Sequence, residues 1–380
     1  MMKFSLVIPV WNGAEVIAQC LNTIAAQRDD QPFEIICVDN DSRDDSAAII
    51  AGQFPAVKLL RQPVNLGFAG GVNAGIRVAQ GAAVVLLNQD CLPQAGWLTA
   101  LSAAFEQHPE YGVAGCTIYF SDGKLDHAGA RMTRPAAFGE HLTEVGAGPR
   151  VVDYVTGAAM AIRRSVFDAI GWFDEGFYPA YYEECDCCYR AREQGFEIAY
   201  VPAAKITHLR SSREAQADWI KHWADQQKAR YRFIVKHFTP REMGAFIAFE
   251  TTALDAEANF ERAIGSTIGA RDTLRALPDI IERRRRDRGD ELPAAIRRQL
   301  EVGFTAILRR GFARAEALSG AVRSGAGDQS GRVKAQLAHL LKRSDPADEI
   351  DQLRQQVAEL RGEFERRLRV LEILADYDYR

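Results

Sequence analysis

The chain has 380 residues, 47% of them hydrophobic and 26% charged, with a formal net charge of -4. That length exceeds what one compact core usually holds, so two or more domains are expected, and the slight negative charge argues against nucleic acid as the main partner. No apolar run approaches the ~18 residues of a membrane span, and the seven cysteines are an odd number set mostly in apolar segments, as reduced cytosolic thiols are.

Phe4 to Pro9 is a largely apolar run, as in a strand buried on both faces; no small-residue cleavage site follows it, so it reads as a strand and not as a signal peptide. Trp11-Asn12-Gly13 reads as a turn, Ala14 to Ala26 has helical spacing, and Phe33 to Asp39 is a second strand ending in Asp39-Asn40-Asp41-Ser42. Ser46 to Gln53 is helical, Val57 to Arg61 a short strand, Gly67 to Ala79 a helix, and Ala83 to Asn88 a fourth strand that delivers Gln89-Asp90 past its end. This repetition predicts an α/β fold, a mostly parallel sheet with helices on both faces, whose ligands bind at the carboxyl ends of the strands. Three polar clusters fall at those ends: Trp11-Asn12, Asp39 to Ser42, and Asn88-Gln89-Asp90. Each alone reads as well as a polar loop with an N-cap, Asp41, Ser42 and Asp45 being good caps; together, on one sheet edge, they predict a site. The glycines at 67, 70, 71 and 75 let backbone approach a ligand and leave amide hydrogens at a helix start, which suits a phosphate, although they do not follow the dinucleotide-binding pattern.

Ser121 to Arg150 is rich in Gly, Pro and charge without periodicity and reads as a lid or acceptor loop. Thr156 to Met160 is small and apolar, as a pocket floor or a plain buried strand is. Phe173 to Arg190 is too polar for core and too aromatic for a solvated loop. Within it Glu183 and Glu184 fall at a helix start, where the backbone dipole favours charged carboxylates, and a carboxylate there beside apolar rings suits a general base. Adjacent carboxylates repel and are seldom a stability feature. Asp186 and Arg190, four apart, read more simply as an intrahelical ion pair, with Asp186 kept as a third catalytic candidate. Cys185, Cys187 and Cys188 have no second Cys or His pair at ligand spacing, which argues against zinc. The strand Glu197 to Val201 is followed by a lone His208.

V-I-P-V-W-N, V-D-N-D-S, N-L-G-F-A-G-G-V-N-A-G, L-L-N-Q-D, V-T-G-A-A-M-A-I-R-R, and F-D-E-x-F leading to E-E-x-D-x-x-x-R resemble, in order and spacing, the family 2 glycosyltransferases, over about residues 3 to 212. The branch most similar is the rhamnosyltransferase-like enzymes of bacterial surface-polysaccharide assembly. The resemblance implies a GT-A fold and an inverting transfer from a nucleoside-diphosphate sugar, dTDP-rhamnose or UDP-hexose, to a hydroxyl of a growing surface glycan or lipid-linked glycan. It implies that Pro9 and Asp39 flank the base and that Trp11, Asn12, Asn40, Asp41, Asn65, Gly67, Phe68, Gly70, Asn73, Asn88 and Gln89 complete the nucleotide-sugar site, with Gly157 and Ala158 beneath the sugar. The family's D-x-D element reads Asn88-Gln89-Asp90, so Asp90, with His208, is the implied ligand of Mn2+ or Mg2+. Its E-D pair reads Glu183-Glu184, placing Glu184 where Asp is usual as the base, and Asn40 in place of Asp favours a thymidine donor.

After about residue 213 the pattern turns helical, with an amphipathic helix Trp219 to Phe238 and further helices broken near Pro278, Pro293 and Ser324 to Ser330. The run Arg283 to Arg286 suits a solvated face or anionic headgroups. From Ile350 the apolar positions follow an interrupted heptad, as in a coiled coil that joins copies of the chain. The expected organisation is therefore a GT-A domain over 1–238, a helical domain over 239–345 and an oligomerising coiled coil over 346–380. The expected location is cytoplasmic, with peripheral contact on the inner face of the membrane as a variant. A catalytically inactive sugar-nucleotide or glycan-binding subunit, or a coiled-coil scaffold, is the alternative function.

Overall fold

A computed structural model of the chain describes residues 3–27, 31–209 and 219–324. Among the described residues, those up to Ala315 form one compact unit, and Glu316 opens a second. The expected coiled coil over 346–380 lies outside the described residues.

The first half alternates strand and helix as its apolar pattern predicts: β1 (Phe4–Val10), α1 (Ile17–Ala25), β2 (Phe33–Asp39), α2 (Ser46–Gln53), β3 (Lys58–Arg61), α3 (Gly67–Val78) and β4 (Ala83–Leu87). A short β5 (Cys91–Pro93) and α4 (Trp97–Gln107) lead to the long β6 (Tyr111–Phe120). Then come β7 (Leu125–His127), β8 (Ala130–Met132), β9 (Gly139–His141), β10 (Arg150–Val151), β11 (Ala159–Arg163), α5 (Arg164–Ile170), α6 (Glu183–Glu193) and β12 (Glu197–His208). The main sheet runs β10-β12-β6-β11-β4-β1-β2-β3. β1 to β4 pair in parallel, and β11 enters antiparallel between β4 and β6. The sheet is mixed, with its parallel half carrying the loops expected to bind.

Side chains alternate across the strands, so β1 sends Leu6 and Ile8 to one face and Val7 to the other. The first face packs on α1 and α4 through Leu21, Trp97, Leu101 and Phe105. The second meets α3, α5 and α6 and continues without a break into Phe233, Phe246, Leu277 and Phe304 of four further helices. These are α7 (Trp219–His237), α8 (Pro240–Ala256), α9 (Phe260–Arg288) and α10 (Ala294–Ser324). Thr239 and Glu242 form a capping box at the start of α8 with Pro240 in its first turn, the pattern that ends α7 and opens a new helix. The break expected at Pro278 is absent, since α9 runs through it; the break at Pro293 is present.

Two other elements depart from expectation. Ser121 to Arg150 is not irregular throughout: β7 pairs with β6, β8 pairs with β9, and Ala130, Met132 and Ala137 are buried. β12 does not stop at Val201. A register shift between Val201 and Lys205 accommodates Pro202, whose carbonyl accepts from Thr117 Oγ1 at 3.0 Å, and the strand resumes to His208. That extension pairs His208 with Cys91 in β5 and so brings it beside Asp90.

α3 rests on β1 because Gly75 has no side chain: a Cβ there would lie 2.4 Å from Val7 Cγ1 and 3.2 Å from Val38 Cγ2. Gly75→Ala is expected to cost about 1–3 kcal/mol through overpacking. The check is the urea midpoint at unchanged slope; an unmoved midpoint would show that this contact has slack.

Candidate active site

The carboxyl ends of β1 and β2 face each other, with Val10 opposite Asp39. Beyond them Asn12 (φ 47°) and Asp41 (φ 62°) take left-handed backbone, which Asn and Asp tolerate. The two turns interlock. The Ser42 N–H donates to Asp39 Oδ1 (3.1 Å), the Asn12 N–H to Ser42 Oγ (2.9 Å), and the Arg43 N–H to Asn12 Oδ1 (2.7 Å). Ser42, read from sequence as a helix cap, instead ties one loop to the other. Trp11 stands half exposed at this edge, and its N–H donates to Gln89 Oε1 at 3.0 Å, which joins the third polar cluster to the first.

Other candidates are committed within the protein. The Asn40 amide donates to Gly67 O (2.9 Å) and accepts from the Leu66 N–H (2.9 Å). The Asn73 amide donates to Phe173 O (3.0 Å) and Glu175 Oε1 (2.9 Å) and accepts from the Phe173 N–H (3.0 Å). Asn65 Oδ1 takes the Gly67 N–H at 2.8 Å, and Pro179 O takes the Phe68 N–H at 2.7 Å. The start of α3, expected to cradle a phosphate, therefore has its first amides already bonded. Gly67 holds φ 71° where a Cβ would strike Pro179 O at 2.8 Å, and Gly70 packs on Leu66. These positions build the loop that carries Phe68; of the other candidates at the ends of β1 and β2, Trp11 is half exposed, Pro9 partly buried and Asp39 buried.

Asp90 follows β4 and faces His208, with Oδ1 3.4 Å from Nε2. The other ring nitrogen, Nδ1, lies 3.0 Å from Asp126 Oδ2. Asp126 is a residue that sequence reasoning missed, because no spacing links it to a histidine 82 positions away. Burial alone would lower the His208 pKa, but the Asp126 and Asp90 carboxylates prevail and raise it to about 10. Among the described residues, Asp90, Cys91 and His208 could meet at one cation, their ligand atoms lying within 4.8 Å of one another. Cys91 is a poor ligand, since burial pushes its thiol well above the usual range. The carboxylate and the imidazole suit a divalent cation: the charge that now holds a proton on the ring would favour a metal in its place, and Asp126 fixes the ring orientation as outer partners of ligating histidines do. Asn88 lies next to this pair, and its N–H donates to Ala158 O at 2.9 Å.

That bond links the cation position to the floor beside α6. A Cβ on Gly157 would lie 3.3 Å from the Phe68 ring and 3.7 Å from Glu184 Cβ, so Gly157, Phe68 and Glu184 form one cluster. Tyr181 (φ 81°) and Tyr182 (φ 65°) turn the chain sharply into α6 and set Glu183 and Glu184 in its first turn. Glu183 is buried, its Oε2 has no hydrogen-bond partner, and burial together with the neighbouring Glu184 raises its pKa well above the carboxylate range. Its charged form is therefore disfavoured. Glu184 is half-buried at a pocket wall; burial raises its pKa to about 7, while its own backbone N–H and that of Cys185 limit the rise. A carboxylate titrating there can take a proton at neutral pH.

Asp186 is not at the site. It is wholly buried against Arg190 Nε (2.9 Å), His237 Nε2 (2.8 Å) and Lys236. Burial alone would raise its pKa, but Lys236 and Arg190 hold it well below the usual range. Lys236 also meets Asp174 (2.8 Å) and Asp287 (2.9 Å), and Arg232 grips Asp174 through Nε (3.0 Å) and Nη2 (2.8 Å). This buried network fastens α6 to α7 and α9. The run Arg283 to Arg286 serves the same end: Arg284 Nη1 donates to the carbonyls of Val235 (2.9 Å) and Phe238 (2.8 Å), Arg283 pairs with Asp287, and Arg285 and Arg286 pair with Glu282. Arg285 and Arg286 are both exposed and share the one Glu282 carboxylate. No helix among the described residues is long and apolar enough to cross a membrane.

Residues 5–171 match the family model "Glycosyl transferase family 2". The chain is 26% identical over 233 residues to N-acetylglucosaminyl-diphospho-decaprenol L-rhamnosyltransferase of Mycobacterium tuberculosis, covering 54% of this chain and 75% of that protein. It is 25% identical over 232 residues to O-antigen biosynthesis protein RfbC of Myxococcus xanthus, covering 57% of this chain but only 18% of that one. Several relatives are thus far longer than the stretch they share with this chain. Among solved structures, GalNAc-T7 with UDP, GalNAc and Mn2+ superposes with a TM-score of 0.53 at 16% identity, over 67% of this chain and 51% of that one, which shows the fold. The fold, the loops at the ends of β1, β2 and β4, and the family match agree: residues 5–171 are a glycosyl transferase family 2 domain of GT-A fold.

Proposed function

We propose that the chain transfers a sugar, with inversion, from a nucleoside-diphosphate sugar to a hydroxyl of a bacterial surface glycan. The observation that carries this reading is the cluster of Glu184, Gly157 and Phe68, joined through Ala158 and Asn88 to the Asp90–His208 pair. A proton acceptor and a cation position thereby flank one stretch of floor. Glu184 takes the proton from the attacking hydroxyl. Pro9, Trp11 and Asp39 flank the nucleotide. Asp90 and His208 hold the divalent cation, Mn2+ or Mg2+, which when bound offsets negative charge on the diphosphate. The rhamnosyltransferase and O-antigen relatives support a surface glycan as the product. Asn40, spent on the Leu66–Gly67 backbone, gives no preference between thymidine and uridine donors.

Calorimetric titration with dTDP and with UDP, each with and without Mn2+, tests the donor site. One nucleotide is expected to bind in a metal-dependent manner, with Asp90→Ala losing at least about tenfold in that affinity, as loss of a ligand or its outer partner commonly costs. Failure of both nucleotides to bind would overturn the transferase reading.

A further inference from the structure

Resting on that reading, we infer that α7, which lies beyond the stretch matched by the family model, builds an acceptor subsite against Glu184, and that this subsite takes a neutral sugar ring. A pocket of about 250 Å³ opens at Glu184 and is walled by Phe138, His141, Tyr181 and, from α7, Gln227 and Arg230. Two of its lining residues each carry a buried polar atom with no hydrogen-bond partner in the protein, Gln227 Oε1 and Arg230 Nε. Both side chains are more than nine-tenths buried, Gln227 at 5% and Arg230 at 2% exposure. Buried polar groups are as a rule satisfied, so an open acceptor and an open donor in one small pocket point to a ligand. A hydroxyl both gives and takes a hydrogen bond and answers both atoms.

Part of the wall is aromatic, beside the polar His141, Tyr154 and Gln226. The Tyr181 hydroxyl is spent on His222 Nδ1 (3.0 Å) and that of Tyr182 on Ala137 O (2.7 Å), which leaves their rings as surface against which the C–H groups of a pyranose can pack.

Charge sets the class of sugar. The one lysine or arginine in the wall, Arg230, is paired with Glu250 and lies 4.2 Å from the Phe138 ring centroid. An anionic group would meet the Glu184 carboxylate with no uncommitted cation to offset it, so uronates and phosphates are disfavoured. In a lipid-linked acceptor the terminal sugar would enter, and the diphosphate would stay outside.

The test uses the full chain with Mn2+ and whichever of dTDP or UDP binds. Saturation-transfer NMR would compare the p-nitrophenyl glycosides of rhamnose, glucose and N-acetylglucosamine with that of glucuronic acid. At least one neutral glycoside is expected to bind and the glucuronide to bind at least about tenfold more weakly, the cost of one unmatched charged contact. Gln227→Leu, close in size but without the carbonyl, is expected to weaken the neutral glycoside about tenfold, with nucleotide affinity retained as the control for folding. Gln227→Glu keeps an acceptor oxygen but adds charge, and is expected to restore part of that loss. Glucuronide binding as tight as the neutral probes, or full glycoside affinity in Gln227→Leu, would overturn the subsite. Nucleotide binding without any neutral glycoside would overturn the subsite alone. Loss of both ligands in the unaltered protein would overturn the transferase reading with it.

Discussion

Glu184→Gln is expected to lower the transfer rate by roughly 10²–10⁴-fold, the range of a lost general base, while nucleotide affinity stays within a few-fold. The substitution keeps size and hydrogen-bonding capacity and removes only the ability to accept a proton. Glu183→Gln is expected to cost far less, because burial and the neighbouring Glu184 already disfavour the charged form of Glu183. The pair separates two roles that adjacent residues of one type would otherwise share. The pH profile gives an independent readout. Glu184 titrates at about 7, and only its ionised form can take the proton, so the rate should fall about tenfold per unit below that pH and level off above it. The variant should lose this acidic limb from its residual rate. Near-normal turnover in Glu184→Gln, or a flat profile across neutrality in the unaltered protein, would remove Glu184 as the base.

Lys236→Met is expected to destabilise the protein by roughly 3–5 kcal/mol, the cost of removing one partner from a buried ionic set. Methionine fills the space of the side chain, so the loss is of charge and not of packing. Asp174, Asp186 and Asp287 would remain buried around the vacated ammonium. Urea denaturation followed by far-ultraviolet dichroism measures it, and a shift under about 1 kcal/mol would show that Arg232, Arg190 and Arg283 neutralise the carboxylates unaided. The same network sets an acid limit. Burial would raise the Asp174 carboxyl, but Lys236 and Arg232 outweigh it and hold it at about 2. A carboxyl lowered on folding contributes its stability above the unfolded value near 3.9, and that contribution is lost as pH falls toward 2.

The sheet was legible in the sequence because its strands are buried on both faces and bounded by polar turns; β1, β2 and β4 need no information beyond local pattern. Glu184 and Asp90 stand out in the sequence for another reason: carboxylates at a helix start and just past a strand end have few structural uses. What failed was anything decided by partners far along the chain. Asn40 and Asn73 have the composition of ligands, yet their amides brace loops, and nothing local distinguishes the two cases. Asp186 needed Lys236 and His237 to be recognised as structural. Asp126 lay in a stretch without periodicity, where short strands leave too little pattern to read. β12 was cut short because Pro202 is a poor strand residue, and only the pairing with β6 shows that a bulge absorbs it. Gln227 and Arg230 sit on a helix whose amphipathic pattern accounts for them without any ligand.

Lys236 has a consequence for how such a chain can change over generations. Its ammonium answers one carboxylate just before α6, one within α6 and one on α9. None of these four can drift alone without leaving a bare charge in the core, so they should be inherited as a set. A chimera that takes its α6 from a relative would need the matching α7 and α9 as well, so change in this part of the fold would come by exchanging whole helices more readily than single residues.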